Sequence, residues 1–313
     1  MKSDYRGAVW YLVTLTLATF TLTVLFTIQG SPTWAWIFTV IASVPQLFGL
    51  VYYLHRTHGK KEPAFVKFIL VTLRLSSFAV AALFVASLYY LASQYHNPVM
   101  PTEGDSITIV QTDNLNIMYP GYDTVEFVCG KRPSRGDKGI TYCSAAAFQQ
   151  KYSLSFTHDE IASTHVQNGE LYQGYYLKGL GAFTFYNGEF HFTDNDGAAA
   201  EMEKAAKSGG NGFRQYSIIE NGEIMLDPIK DYRCYRVLAE LDGKLCVIDS
   251  RKQVYFADFA RDLQEAGVTN ALYLDMGCGW NYSWYRDNSG QANTLIGLIW
   301  PFSHNWIVFR TTD

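Results

Sequence analysis

Four dipeptides limit what this chain can fold into more than any other feature. Asn168-Gly169, Asn187-Gly188, Asn221-Gly222 and Asp242-Gly243 each sit between strand-like runs, in THVQNGELYQGYYL (164–177), AFTFYNGEFHFT (182–193), YSIIENGEIML (216–226) and RVLAELDGKLCVI (236–248). A two-residue type I′ turn needs positive φ at both central positions, which Asn, Asp and Gly adopt at least cost, so each dipeptide predicts a hairpin. Four hairpins predict an extensive, largely antiparallel sheet. Two segments carry helical signals instead. DGAAAEMEKAAKSGG (196–210) begins on a capping Asp196 and stops at glycines, and VYFADFARDLQEAGV (254–268) sets Phe256, Phe259, Leu263 and Ala266 on one face before Gly267. The second helix, its glycine and the apolar run ending on Asp275 read as an αβ unit, and ligands in α/β sheets collect beyond strand carboxyl ends.

Composition divides the chain near position 97. The first hundred residues carry 7 Lys and Arg against 2 Asp and Glu, and the remainder 18 against 27, so the net charge of −4 conceals a basic part and an acidic one. An acidic second part excludes nucleic-acid binding, which needs a basic footprint. Three stretches, 8–28, 34–54 and 66–92, are apolar over lengths that reach the roughly 20 residues a bilayer requires, which predicts a three-span transmembrane bundle with the bilayer as a partner. Lys2, Arg6 and the HRTHGKKEP loop (55–63) are basic, so the N-terminus is expected in the cytoplasm and residues 97–313 on the extracytoplasmic side. Arg74, close to Lys67, reads as a side chain snorkelling to the cytoplasmic face. The expected fold class is α+β: three spans (1–96), a linker (97–104), and an exported domain (105–313) with a mixed, largely antiparallel sheet and a few helices.

All five cysteines lie after position 128. In an oxidising compartment, Cys129 with Cys143 or Cys234 with Cys246 are plausible pairs, with one left over. The seven histidines are scattered and no Cys-x-x-Cys occurs, so no metal site is expected.

Several blocks then match a known pattern in order. FRQYSIIENGEI (213–224) is followed by RVLAELDGKLCVI (236–248), by the helix at 254–267, and by ALYLDMGCG (271–279). Residues ~105–313 thereby resemble the phosphodiester glycosidase family. The family's loop reads Asp-Gly-Gly-Gly-Ser, where this chain has Asp275-Met276-Gly277-Cys278-Gly279-Trp280. Its earlier Asn-Gly-Gly segment corresponds here to YCSAAAF (142–148), with alanines in place.

The resemblance implies an enzyme that hydrolyses a sugar phosphodiester, with no required cofactor, although it admits calcium. Such cleavage needs an acid or electrophile for the leaving group and a base or nucleophile at the sugar carbon. Asp275 is the candidate carboxylate; its plain alternative is an Asx-turn at a strand end. Gly277 and Gly279 would let backbone amides approach the ligand. Arg236 is the candidate phosphate clamp, with Arg233 next and a cross-strand ion pair as the alternative role for Arg236. Arg214, Gln215 and Ala146 would line the pocket, and Trp280, Tyr282, Trp284 and Tyr285 would stack on sugar. The second carboxylate stays open among Glu189, Asp194, Asp196 and Asp249. Asn281-Tyr-Ser283 is a formal glycosylation sequon, and Cys278 is expected to be buried or bridged. A rival reading keeps the fold but not the catalysis, as a module that binds glycan or a partner of the three-span bundle, because Ala145–Ala147 replace polar and glycine residues.

Overall fold

The computed structural model describes residues 97–148, 157–174, 180–225, 231–275, 282–296 and 303–312. The chain divides after Ala92 into two units, and the described residues belong to the second. In chain order its strands are β1 (Ile107–Gln111), β2 (Leu115–Pro120), β3 (Thr124–Cys129), β4 (Ile140–Ala145), β5 (His165–Gln167), β6 (Glu170–Tyr172), β7 (Leu180–Tyr186) and β8 (Glu189–Thr193). Helix α1 (Ala198–Lys207) leads to β9 (Asn211–Glu220), β10 (Glu223–Ile224), β11 (Tyr232–Arg233), β12 (Arg236–Leu241), β13 (Lys244–Ser250) and β14 (Val254–Tyr255). Helix α2 (Phe256–Glu265) precedes β15 (Val268–Tyr273), β16 (Ser283–Arg286), β17 (Ala292–Ile296) and β18 (Asn305–Arg310).

All four dipeptides turn hairpins: β5–β6, β7–β8, β9–β10 and β12–β13. Asn168, Asn187, Asn221 and Asp242 have φ of 50–53°, each followed by a glycine at positive φ, as the type I′ turn requires. The larger sheet runs β1-β2-β13-β12-β15-β9-β5-β6, with β7 and β10 paired to β9 and β8 paired to β7; a second sheet runs β17-β16-β4-β18-β3.

The sheets bury three layers of side chains. Leu238, Val247, Leu272 and Phe213 of the larger sheet meet Phe127, Tyr142, Ile307 and Phe309 of the second sheet in one core. On the other face of the larger sheet, Val237, Ala239 and Ile248 pack on Phe256, Phe259 and Leu263 of α2. The second sheet's outer face carries Cys143, Trp284 and Trp306. Strands buried on both faces read as continuous apolar runs, which is why β12 and β13 show little alternation.

The fold differs from the expectation in several respects. The ladders of the described residues are antiparallel throughout, and their two α-helices are ten residues each, so this part of the chain is mostly β rather than α+β with a mixed sheet. The helix–glycine–strand unit is real, but β15 lies antiparallel to both β12 and β9, so the rule for parallel α/β sheets does not locate a site at its end. No helix among the described residues is long and apolar enough to cross a membrane; ten residues is half of what a bilayer needs. The three expected spans and Arg74 lie outside the described residues. Membrane insertion, the cytoplasmic N-terminus and the extracytoplasmic placement built on them are therefore withdrawn. Residues 97–104, read as a linker, lie along the domain. The Asn97 backbone N–H donates to the Leu295 carbonyl at 3.0 Å, Val99 is buried, and Thr102 bridges Ile109.

Neither expected disulfide forms, since Cys143, Cys234 and Cys246 are thiols. Cys129 and Cys143 flank β18, one opposite Asn305 and the other opposite Val308. Cys246 pairs with Ala239, five residues along from Cys234 and on the order of 15 Å away, whereas a bridge wants Cα atoms within about 7 Å. The first helix is also capped differently. Gly197 holds its N-cap position and donates its N–H to Asp194 Oδ1 at 2.8 Å, so Asp194 rather than Asp196 satisfies that end.

Leu238 is fully buried between the sheets. Its replacement by alanine is expected to cost about 2–5 kcal/mol, read as a lower urea midpoint with an unchanged slope.

Candidate functional site

The two-residue turn at Asp242-Gly243 sets the β12–β13 register and places Arg236 opposite Asp249. Both side chains share the face of Leu238 and Val247 and so point between the sheets. Arg236 Nε donates to Asp249 Oδ1 at 2.6 Å and Nη2 to Oδ2 at 2.5 Å, while Nη1 donates to Ser144 Oγ on β4 at 3.2 Å. The Arg236 side chain is wholly buried and that of Asp249 is 5% exposed. Burial works against the guanidinium charge, but the adjoining carboxylate outweighs it and the Arg236 pKa stands above its ordinary value. This bidentate, charge-assisted pair reaches from one sheet to the other. Beside it, burial pushes the Tyr142 phenol up, with the Arg236 charge opposing.

The second half of the site is backbone. The Leu274 N–H donates to the Arg236 carbonyl at 3.0 Å, and the Asp275 N–H donates to the Ala146 carbonyl at 3.0 Å. The chain therefore passes from one sheet to the other at these two residues. Ala146 O also accepts from Gln215 Nε2, at a longer 3.4 Å, while Gln215 Oε1 accepts from the Tyr216 N–H at 3.0 Å. Asn305 grips Ala147 in both directions: Oδ1 accepts its N–H at 2.8 Å, and Nδ2 donates to its carbonyl at 3.1 Å. The Ala145 N–H donates to the Tyr282 carbonyl at 2.9 Å. Ala145, Ala146 and Ala147 are at most 3% exposed and Asp275 is 7% exposed.

Of the residues singled out from sequence, Asp275, Arg236, Gln215 and Ala146 come together here. Arg214 does not; alternation along β9 sends it the other way, where Nη2 donates to Leu180 O at 2.7 Å and to Asn195 Oδ1 at 3.1 Å. Tyr282 turns to the outer face of the second sheet. There Arg132 and Arg135 stand 5.1 and 5.4 Å from its ring, and Arg135 Nε donates to its hydroxyl at 3.2 Å. Trp284 is core, and Tyr285 packs against the layer between the sheets. Arg233 lies 5.2 Å from the Tyr235 ring and 5.8 Å from that of Tyr273, two residues before Asp275. Its Nε is buried with no hydrogen-bond partner among the described residues, and its ion pair to exposed Asp231 is long, at 3.7 Å. Gly277, Cys278, Gly279, Trp280 and Asn281 lie outside the described residues.

Of the second-carboxylate candidates only Asp249 belongs to the cluster; Glu189, Asp194 and Asp196 are exposed around β8 and the start of α1. Sequence reasoning missed Ser144 and Asn305, which no motif marks, and the Arg132–Arg135 pair, whose only signal is the charge run KRPSRGDK (131–138).

The histidines are less scattered than the sequence suggests. His165 Nδ1 lies 3.1 Å from the Ser163 carbonyl, which can only accept, so Nδ1 carries the proton; Nε2 then accepts from His158 Nδ1 at 2.9 Å. Burial pushes His165 down to about 4, with the Ser163 carbonyl opposing and His158 reinforcing. No group of three or more His, Cys, Asp or Glu able to hold a metal occurs among the described residues.

Comparison with known proteins adds little. The sequence matches no protein-family model. It matches no curated protein. Among solved structures, the catalytic domain of zebrafish N-acetylglucosamine-1-phosphodiester alpha-N-acetylglucosaminidase, auto-inhibited by its pro-peptide, is similar at a TM-score of 0.45 and 11% identity, over 70% of this chain and 86% of that one. A likeness of that size carries no functional argument.

Two outcomes are expected. Replacing Asp249 with Asn, which leaves the buried Arg236 charge unpaired, should cost about 3–5 kcal/mol by denaturant unfolding, and Arg236→Met with Asp249→Leu should recover most of it. His165 is depressed in the folded state, so the unfolded chain takes up the proton first. Stability should therefore fall as pH drops from about 6.5 to about 4 and flatten below. Over that window the wild type should lose about 2–3 kcal/mol more than His165→Gln.

Proposed function

We propose that residues 105–313 form a hydrolase domain that cleaves a glycosyl phosphodiester, with Asp275 as the carboxylate at the sugar carbon. One observation carries the reading. Four segments marked by the sequence resemblance, at 145–147, 215, 236 and 274–275, are far apart in the chain yet meet through three backbone and side-chain hydrogen bonds, to the Arg236 and Ala146 carbonyls. A carboxylate held on such a frame has its backbone position set from both sheets, which suits a group that must meet a reacting atom to within a fraction of an ångström.

The roles divide by exposure. Arg236 is fully buried and neutralised by Asp249, so it acts as a positioning residue that holds Leu274 through its carbonyl rather than as the phosphate clamp. Arg233 suits the clamp better. It is part-exposed and lies over the ring of Tyr273, two residues before Asp275. Phosphate is already a good leaving group, and a guanidinium facing it supplies most of the remaining stabilisation.

The rival reading, glycan binding without turnover, is favoured by Ala145–Ala147, which bring no polar side chain to the node. Full-length protein assayed on a panel of chromogenic sugar phosphodiesters separates the two. Wild type should turn over; Asp275→Asn should lose about 10²–10⁴-fold in kcat, and Arg233→Gln should raise KM about tenfold. No turnover on any member of the panel, with glycan binding retained, would leave the binding module as the reading.

A further inference from the structure

Among the described residues a cleft of about 260 Å³ lies between the end of β8 and the strands β9 and β15, away from the Asp275 node. Gly181 on β7 shapes its floor. A Cβ there would stand 2.2 Å from Ser217 Oγ, 2.9 Å from the Thr193 carbonyl and 3.2 Å from Leu272 Cδ2, and Ser217, Thr193 and Leu272 all line the cleft. The backbone at 181 has no positive φ to demand glycine. A glycine within a strand weakens it and marks a close approach; here the missing side chain's space is taken by the Ser217 hydroxyl. Ser217 is 3% exposed and lines the cleft. As a lining residue, it can offer its hydroxyl to a ligand atom in the cleft.

The charge of the lining selects the ligand. Asp194 and Glu220 are its ionisable residues, and it contains no Lys, Arg or His. Arg214 bonds the neighbouring Asn195 but does not line the cleft. Asp194 spends Oδ1 on the Gly197 N–H, leaving its second oxygen. Asn270 is committed to Glu240 and to the Asn221 N–H, so it fixes the wall rather than offering donors. Phe192 and Leu272 supply apolar surface. An anion would meet two like charges with no cation to offset them, which excludes the sugar phosphodiester from this place.

We propose that the cleft binds a small organic ammonium ion, with its charge held by Asp194, Glu220 and the Ser217 oxygen and its apolar body on Phe192 and Leu272. The volume lies just under the usual ~300 Å³ lower bound for ligand pockets, so the occupant is a single-ring molecule. The site does not rest on the hydrolase reading and stands or falls separately from it.

The test holds shape constant and varies charge. Binding of cyclohexylmethylamine, cyclohexylmethanol and cyclohexanecarboxylate to full-length protein is measured by calorimetry at pH 7. The amine should bind about tenfold tighter than the alcohol, and the carboxylate should not bind. Asp194→Asn, which keeps the Gly197 cap, and Glu220→Gln should each weaken the amine about threefold without altering the alcohol. An amine that does not bind, binds no tighter than the alcohol, or binds unchanged to the folded double variant overturns the proposal.

Discussion

The buried pair between Arg236 and Asp249 is the interaction on which the rest of the structure depends. Two charges taken out of water cost several kcal/mol each unless their geometry is close to ideal and their remaining donors are met. Here the guanidinium fork meets both carboxylate oxygens and its third nitrogen reaches Ser144 on the opposite sheet. That contact fixes more than one distance. It requires β12 and β13 to keep their register and β4 to lie across them. It also holds the Arg236 carbonyl where it takes the Leu274 N–H, so the position of Asp275 follows from the ion pair two steps away.

From this node the small size of Ala145–Ala147 acquires a reason. Backbone rather than side chain makes the contacts at the crossing, with the Ala146 carbonyl shared by Asp275 and Gln215 and Ala147 clasped by Asn305. A dense polar junction between two sheets is stable only when its groups are paired, and alanines leave room for that pairing.

Much of this was legible in local chemistry. The Asn-Gly and Asp-Gly turns announce hairpins because positive φ is a property of two adjacent residues, and the apolar stripe of α2 with Gly267 behind it is equally local. The Asp242-Gly243 turn even implies the Arg236–Asp249 pairing, since a two-residue loop leaves one register; the sequence reading left Arg236 a choice of roles and Asp249 among four candidates. Ser144 and Asn305 were not legible, because they reach the node from the other sheet and no periodicity links them to it. The antiparallel setting of β15 was misread for a related reason: helix, glycine and strand look alike whether the strand's neighbours run with it or against it. The cysteine pairs failed likewise, on registers that sequence spacing does not carry.

The most direct test of Asp275 as the reactive group is a crystal structure with a non-hydrolysable sugar phosphonate bound. The phosphonate oxygens should lie against the Arg233 guanidinium, with the anomeric carbon facing the Asp275 carboxylate and the Arg236–Asp249 pair undisturbed. A phosphonate seated on Arg132 and Arg135 beside Tyr282, or one that breaks Arg236 away from Asp249, would contradict the assignment.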